Sequence, residues 1–302
     1  MTNMKDVRVL VTGGGGFIGR YLIAELEQRG AITLGTSAGT PVEGFISLSL
    51  SDSQQITRVI EDFKPDWIVH LAAIALVTHG DIPQIYDVNV LGTANLLNSV
   101  MKADIAKRPT MLLASTAGVY GNQDVELLHE ELPYNPVNHY SCSKMAMEML
   151  AKQYADELKI HVVRPFNIIG SGQSESFLIP KIVRHFHNKE AKLKLGNISS
   201  TRDYVEVKRC AWIVAQLMSM GHEEPFTVNL CSGRAWTGYD VLDCLKVISG
   251  YSPEIEVSDE FVRKNELWRL VGDPTHLHKL LGQDPELPTL SDILQSMYDS
   301  MG

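Results

Sequence analysis

The chain has 302 residues, 44% hydrophobic and 21% charged, an ordinary globular composition that suits one large or two modest domains. A net charge of −9 with no basic stripe disfavours nucleic acid and anionic membranes as partners. No apolar run approaches the roughly 18 residues of a membrane span, residues 1–6 are polar with no signal-peptide pattern, and four scattered cysteines read as free thiols, so a cytoplasmic protein is expected.

Residues 7–12 (VRVLVT) form a β-rich apolar run. Residues 17–29 have helical spacing, with Ile18, Tyr21, Leu22 and Leu26 on one side. Residues 32–36, 45–48, 67–71 and 111–115 read as further strands, and 54–63 and 89–103 as amphipathic helices between them. A helix over 141–157 and a strand over 161–165 continue the alternation. Strands alternating with helices imply right-handed crossovers and a parallel sheet with helices on both faces. The expected class is therefore α/β, a Rossmann-type doubly wound sheet. After residue 165 the rhythm breaks at Gly170-Ser171-Gly172, one apolar stretch follows at 226–230, and Pro253, Pro274, Pro285 and Pro288 punctuate the tail. The tail is expected to be smaller and mostly helical.

Gly13-Gly14-Gly15-Gly16-Phe17-Ile18-Gly19 falls between the first strand and the first helix. Backbone without side chains can approach a pyrophosphate, and the helix start near Phe17 offers free N–H groups and a partial positive charge. Gly19 lets that helix pack close to the sheet. In this position a dinucleotide site outweighs a plain tight turn. Arg20-Tyr21 follow where a P-loop would have Lys and Ser/Thr. Residues 34–40 (LGTSAGT) hold no acid to grip the ribose hydroxyls of NAD, which favours NADP(H), with NAD(H) as the alternative. They hold no Arg or Lys either, so a 2′-phosphate would need hydroxyls, amides or Arg20.

Tyr140 and Lys144 stand four apart at the start of a helix and share a face. A free phenol titrates at about pH 10, and a close ammonium would lower that value. The pair could then pass a proton to or from a sugar hydroxyl or carbonyl oxygen. Alone such a pair is often an exposed helix pair; the glycine loop upstream makes it specific. Thr116 follows the strand at 111–115, whose carboxyl end would face the cofactor crevice, and could hydrogen-bond the reacting oxygen. His185 and His187, like His276 and His278, are two apart and lie on different sides of a helix, so packing is expected and no metal site.

Seven stretches fall in order along the chain: VTGGGGFIG (11–19), HLAA (70–73), NVLGTANLL (89–97), STAGVYG (115–121), YSCSK (140–144), RPFNIIG (164–170) and RDYVEV (202–207). Through them the chain resembles the extended short-chain dehydrogenase/reductase family that acts on nucleotide sugars. PFNIIGSGQ (165–173) with Phe177, GNISSTRDYVEV (196–207), VNLCSG (228–233) and the 263–272 stretch with His276-Leu277 are similar to its GDP-4-keto-6-deoxy-D-mannose reductases. The resemblance implies a Rossmann domain of residues 1–165 with about 204–231, and a substrate domain of about 166–203 with 232–302. It implies Thr116, Tyr140 and Lys144 as catalytic residues, supported by Asn89. It implies a cofactor held by Gly13, Gly16, Phe17, Ile18, Gly19, Thr36, Ser37, Leu71, Ala72, Ala73, Asn89, Tyr140, Lys144 and Pro165. It implies substrate contacts from Ser115, Thr116, Asn167, Arg202 and Arg263, the arginines gripping a diphosphate through their planar forks.

The implied reaction is NADPH-dependent reduction of a nucleotide-linked 4-keto-6-deoxyhexose, GDP-4-keto-6-deoxy-D-mannose to GDP-D-rhamnose. The alternatives are a UDP-hexose 4-epimerase with tightly bound NAD and a non-catalytic NAD(P)-binding protein. Sugar 4,6-dehydratases of the family carry acids just after the catalytic threonine; Ala117 and Gly118 stand there, which argues against elimination. The chain also departs from its relatives at Arg209, often Asp, at Ser49, an adenine-contacting Asp in many, and at Ala38, an Arg in NADP-using ones. Relatives are often homodimers through the helices at 89–103 and 141–157, where Met145, Met149 and Leu150 would supply the face.

Overall fold

The computed structural model describes residues 4–39, 42–75, 80–257, 267–283 and 285–301. The first half runs β1 (Arg8–Thr12), α1 (Phe17–Gln28), β2 (Ile32–Ser37), β3 (Ile46–Ser47), α2 (Ser53–Phe63), β4 (Trp67–His70), α3 (Ile82–Tyr86), a π-helical turn (Asp87–Leu91), α4 (Gly92–Lys102), β5 (Thr110–Ala114), α5 (His139–Ala151) and β6 (Ile160–Pro165). The second half runs β7 (Asn167–Ile169), α6 (Leu178–His187), β8 (Lys192–Leu195), β9 (Thr201–Arg202), β10 (Tyr204–Glu206), α7 (Val207–Ser219), β11 (Thr227–Leu230), α8 (Gly238–Ser249), β12 (Glu254–Val257), β13 (Arg269–Leu270), α9 (Thr275–Leu281) and α10 (Leu290–Asp299).

Seven strands pair in parallel in the order β11-β6-β5-β4-β1-β2-β3. The strand order reverses between β1 and β4, and open parallel sheets bind ligands at such a switch point, beyond the carboxyl ends of the strands. The inner strands β1, β4 and β5 are buried on both faces, which is why they read as apolar runs. Val9, Val11, Val69 and Leu112 pack in one core with Leu22 and Leu26 of α1 and Ile213 and Leu217 of α7. Leu10, Ile68, Met111 and Leu113 pack in the opposite core with Ile56 of α2, Leu96 and Val100 of α4 and Met147 of α5. Each such side chain contributes about 1.5–3 kcal/mol of burial.

A separate core gathers Ile182 and Phe186 of α6, Leu193 of β8, Leu245 of α8 and Leu294 of α10. Capping boxes start α8 (Thr237 with Asp240) and α10 (Thr289 with Asp292). The tail holds more strand than expected: β7–β10, β8–β12 and β9–β13 form three two-stranded parallel pairs. Strands this short show no sequence period, and tertiary packing sets them. The helix expected over 89–103 is preceded by α3 and interrupted by the π turn, and the helix expected to run to 157 ends at Ala151 in a 3₁₀ turn (Lys152–Tyr154). Met145 packs beside Tyr120 and Phe166, and Leu150 packs on the α2–α4–α5 core, so both serve the chain's own interior. No described helix is long and apolar enough to cross a membrane.

Candidate active site

The glycine loop lies where β1, β2 and β4 end. Gly13 has φ +71°, and a Cβ there would sit 2.7 Å from the Ala72 amide nitrogen, so only glycine lets the loop lie against Leu71–Ala73. At Gly19 a Cβ would sit 2.6 Å from Gly14 Cα, which is how closely α1 approaches the loop. Helix α1 begins at Phe17 with Gly16 as its N-cap and no capping side chain, leaving its first amides for an anion. Thr36 is buried, and its carbonyl accepts from the Gly15 amide at 3.3 Å. Beside it, Ser37 Oγ is buried without a hydrogen-bond partner. Arg20 donates from Nε to the Gly15 carbonyl at 2.9 Å. A cradle that side chains would fill, an uncapped helix start and an orphan hydroxyl at the end of the second strand together fit a dinucleotide.

Thr116, Tyr140 and Lys144 meet at the end of β5. Thr116 caps a 3₁₀ turn (Ala117–Tyr120), its Oγ1 accepting from the Gly118 amide at 3.1 Å. Asn138 caps α5, accepting from the Ser141 amide at 2.9 Å, which puts Tyr140 in the first turn and Lys144 one turn later. The Thr116 side chain lies beside the Tyr140 phenol. Lys144 is 2% exposed and donates from Nζ to the Ala114 carbonyl at 2.7 Å. Burial pushes Tyr140 up to about 12, Thr116 pulling weakly the other way. The expected lowering of that phenol by Lys144 is therefore overridden: desolvation dominates, and the amine's bond goes to Ala114. Burial brings Lys144 down to about 8, with Glu148 opposing.

Asn89 is fully buried in the π turn, a feature often found at functional sites. Its Oδ1 accepts from the Ile74 amide at 2.8 Å, and its Nδ2 donates to the Ile74 carbonyl at 3.1 Å and to Ser143 Oγ at 2.9 Å. Ser143 Oγ donates to the Tyr140 carbonyl at 2.7 Å. Asn89 thus ties the segment after β4 to α5.

The remaining expected contacts fall around this centre. Pro165 ends β6, and Phe17 and Ile18 open α1, all half-buried. Asn167 donates from Nδ2 to the Asp203 carbonyl at 3.1 Å. Arg202 is half-buried in β9, its backbone bridged to Trp236 and its Nη1 on the Thr201 carbonyl at 2.9 Å. Arg263 lies outside the described residues. Ser115, expected to touch substrate, is buried with its hydroxyl donated to Glu148 Oε1. That carboxylate pairs with Arg164, and neither residue was singled out from the sequence. Tyr140, Lys144 and Glu148 are spaced i, i+4, i+8, so the shared face was readable. Among the described residues no three His, Cys, Asp or Glu side chains gather to hold a metal. His185 pairs with Glu190 at 3.2 Å and His187 meets the Tyr298 ring.

A family model described as GDP-mannose 4,6 dehydratase matches residues 10–297. GDP-6-deoxy-D-talose 4-dehydrogenase of Aggregatibacter actinomycetemcomitans is 39% identical over 292 residues, 97% of each chain. GDP-6-deoxy-D-mannose reductase of Pseudomonas aeruginosa is 31% identical and covers 93% of this chain and 92% of its own. The solved structure of RMD from Pseudomonas aeruginosa complexed with NADPH has a TM-score of 0.83 at 29% identity, over 97% of this chain and 98% of that one. The chain belongs to the GDP-mannose 4,6-dehydratase family of extended short-chain dehydrogenases/reductases.

Proposed function

We propose that the chain reduces the C4 keto group of a GDP-linked 4-keto-6-deoxyhexose with NADPH, using Thr116, Tyr140 and Lys144. The observation that carries this reading is the convergence of Thr116, Tyr140 and Lys144 at the end of β5, with Lys144 buried and held on the Ala114 carbonyl. The nicotinamide, when bound, supplies the hydride. Tyr140 stays protonated at neutral pH and donates its proton to O4. Thr116 orients O4, and the Lys144 ammonium, fixed on Ala114, stabilises negative charge that develops on the phenol oxygen. Asn167, Arg202 and Arg263 hold the nucleotide sugar. Elimination of water would need an acid and a base near C5 and C6. Ala117 and Gly118 stand buried just after Thr116, and neither carries an ionisable group.

GDP-D-rhamnose is the product we favour, in line with the name of the Pseudomonas aeruginosa reductase. A second reading, GDP-6-deoxy-D-talose, is supported by the 39% identical relative. These products differ only in which face of C4 receives hydride. NADP(H) is supported over NAD(H) by the orphan Ser37 hydroxyl, the neighbouring Arg20 and the lack of an acid at the end of β2. The core of its own formed by α6, β8, α8 and α10 supports assigning the substrate to 166–203 with 232–302 and the cofactor to residues 1–165 with 204–231. A cytoplasmic homodimer through α4 and α5 belongs to the same proposal; Leu91, 57% exposed just before α4, is apolar surface it would cover. A monomer mass in light scattering would overturn the dimer.

The protein is mixed with GDP-4-keto-6-deoxy-D-mannose and NADPH, and the C4 configuration of the product is read by NMR. An axial or equatorial O4 assigns talose or rhamnose. No NADPH loss, with NAD carried through purification, would instead favour a UDP-hexose 4-epimerase. Cofactor binding without turnover of any nucleotide sugar would favour the non-catalytic binder.

A further inference from the structure

Behind the catalytic residues lies a buried ionic network that the proposed reaction does not use directly. Glu148 sits one turn beyond Lys144 on α5, 3% exposed. Its Oε1 accepts from the Ser115 hydroxyl and from Arg164 Nε at 3.1 Å, and its Oε2 accepts from Arg164 Nη2 and from the Tyr134 hydroxyl, both at 2.8 Å. Arg164, on β6 and equally buried, donates from Nη1 to the Tyr120 hydroxyl at 2.8 Å and to the Glu130 carbonyl at 3.2 Å. Its guanidinium lies over the Tyr120 and Tyr134 rings, 5.0 and 5.1 Å from their centroids. The Tyr120 hydroxyl in turn donates a hydrogen bond to Asn229 Oδ1 at 2.7 Å. Each charge is matched by partners, as a buried pair requires.

We propose that Glu148, clamped by Arg164, is a positioning residue that locks the Thr116 segment to the Tyr140–Lys144 helix and supplies the negative charge that Lys144 faces. This rests on the reading that Thr116, Tyr140 and Lys144 carry the reaction. One carboxylate joins the two elements that bring Thr116 and Tyr140 together: Ser115 is the residue before Thr116, and Glu148 shares a helix face with Tyr140 and Lys144. The groups around Lys144 are Glu148 and Tyr140 from α5, His70 from β4 and the Ala114 carbonyl from β5, with Arg164 of β6 and Tyr134 behind Glu148. His70 stays neutral, pushed down to about 3 by burial and by the Lys144 charge, with its nitrogens on Thr12 and Thr93. Among the described residues, Glu148 is the negative group that acts on Lys144.

Two variants separate positioning from bulk structure. Glu148→Gln/Arg164→Met removes both charges together, so that no buried ion is left alone. Its high-pH activity limb, and the high-pH loss of NADPH affinity followed by fluorescence, are expected to move down by about one pH unit. Ser115→Ala keeps the ion pair and cuts only the link to Thr116; its kcat should fall about tenfold, with KM and the pH limb unchanged. A folded double variant whose NADPH affinity and pH limb overlay those of the parent would overturn the charge role. A Ser115→Ala enzyme with parental kcat would overturn the positioning role. If the parent protein turns over no keto sugar, the functional reading fails on that control, while the NADPH titrations still test Glu148.

Discussion

Replacing Lys144 by methionine should cost all activity and yet raise stability. The amine is 2% exposed and held at a pKa of about 8 against an ordinary 10.5. At 1.36 kcal/mol per pH unit, that drop means about 3 kcal/mol spent keeping a buried ammonium charged at neutral pH. Losing the bond to the Ala114 carbonyl takes back about 1 kcal/mol, and Glu148 stays paired with Arg164. The net gain of about 2 kcal/mol corresponds to roughly 3 °C for a chain of this size. The pH dependence carries the sharper test. A lysine with a lowered folded pKa costs stability wherever both states are protonated, and the cost fades as pH rises from about 8 past 10.5. Melting curves of the two proteins from pH 7 to 10 should therefore start apart, with Lys144→Met higher, and lose more than half of the gap by pH 10. A variant that melts below the parent, with a gap that ignores pH, would show that Lys144 is not a desolvated cation.

Asn89→Ala should destabilise by about 2–4 kcal/mol in urea titration, because it strands both Ile74 backbone groups and removes the bond to Ser143 Oγ. Gly13→Ala meets the Ala72 amide at a positive φ; a cost of about 1–3 kcal/mol and loss of NADPH binding by calorimetry are expected. Ser37→Ala should weaken NADPH about fivefold and leave NADH unchanged if the orphan hydroxyl grips a 2′-phosphate; equal loss for both cofactors would refute that role.

Much of the fold is legible because its central strands are buried on both faces and its helices on one. Leu10 and Val9 point into different cores, so the run at the start of the chain is apolar throughout. The glycine loop is legible because three backbone segments crowd it, and glycine is what crowding selects. The strand pairs of the tail are not legible, since two to four residues carry no period. Tyr140 and Lys144 are found by their spacing. Their electrostatics are not, because the phenol's upward shift comes from burial that spacing does not encode. The bond from Ser115 to Glu148 is not legible for a similar reason: the two are 33 residues apart in the chain.

The most direct test of C4 reduction is NADPH absorbance after addition of GDP-4-keto-6-deoxy-D-mannose, with parent enzyme and Tyr140→Phe run side by side. Stoichiometric NADPH loss with the parent, and none with a Tyr140→Phe protein that still binds NADPH, is the expected result. Equal rates from both proteins would remove Tyr140 as the proton donor, and no loss from either would contradict C4 reduction itself.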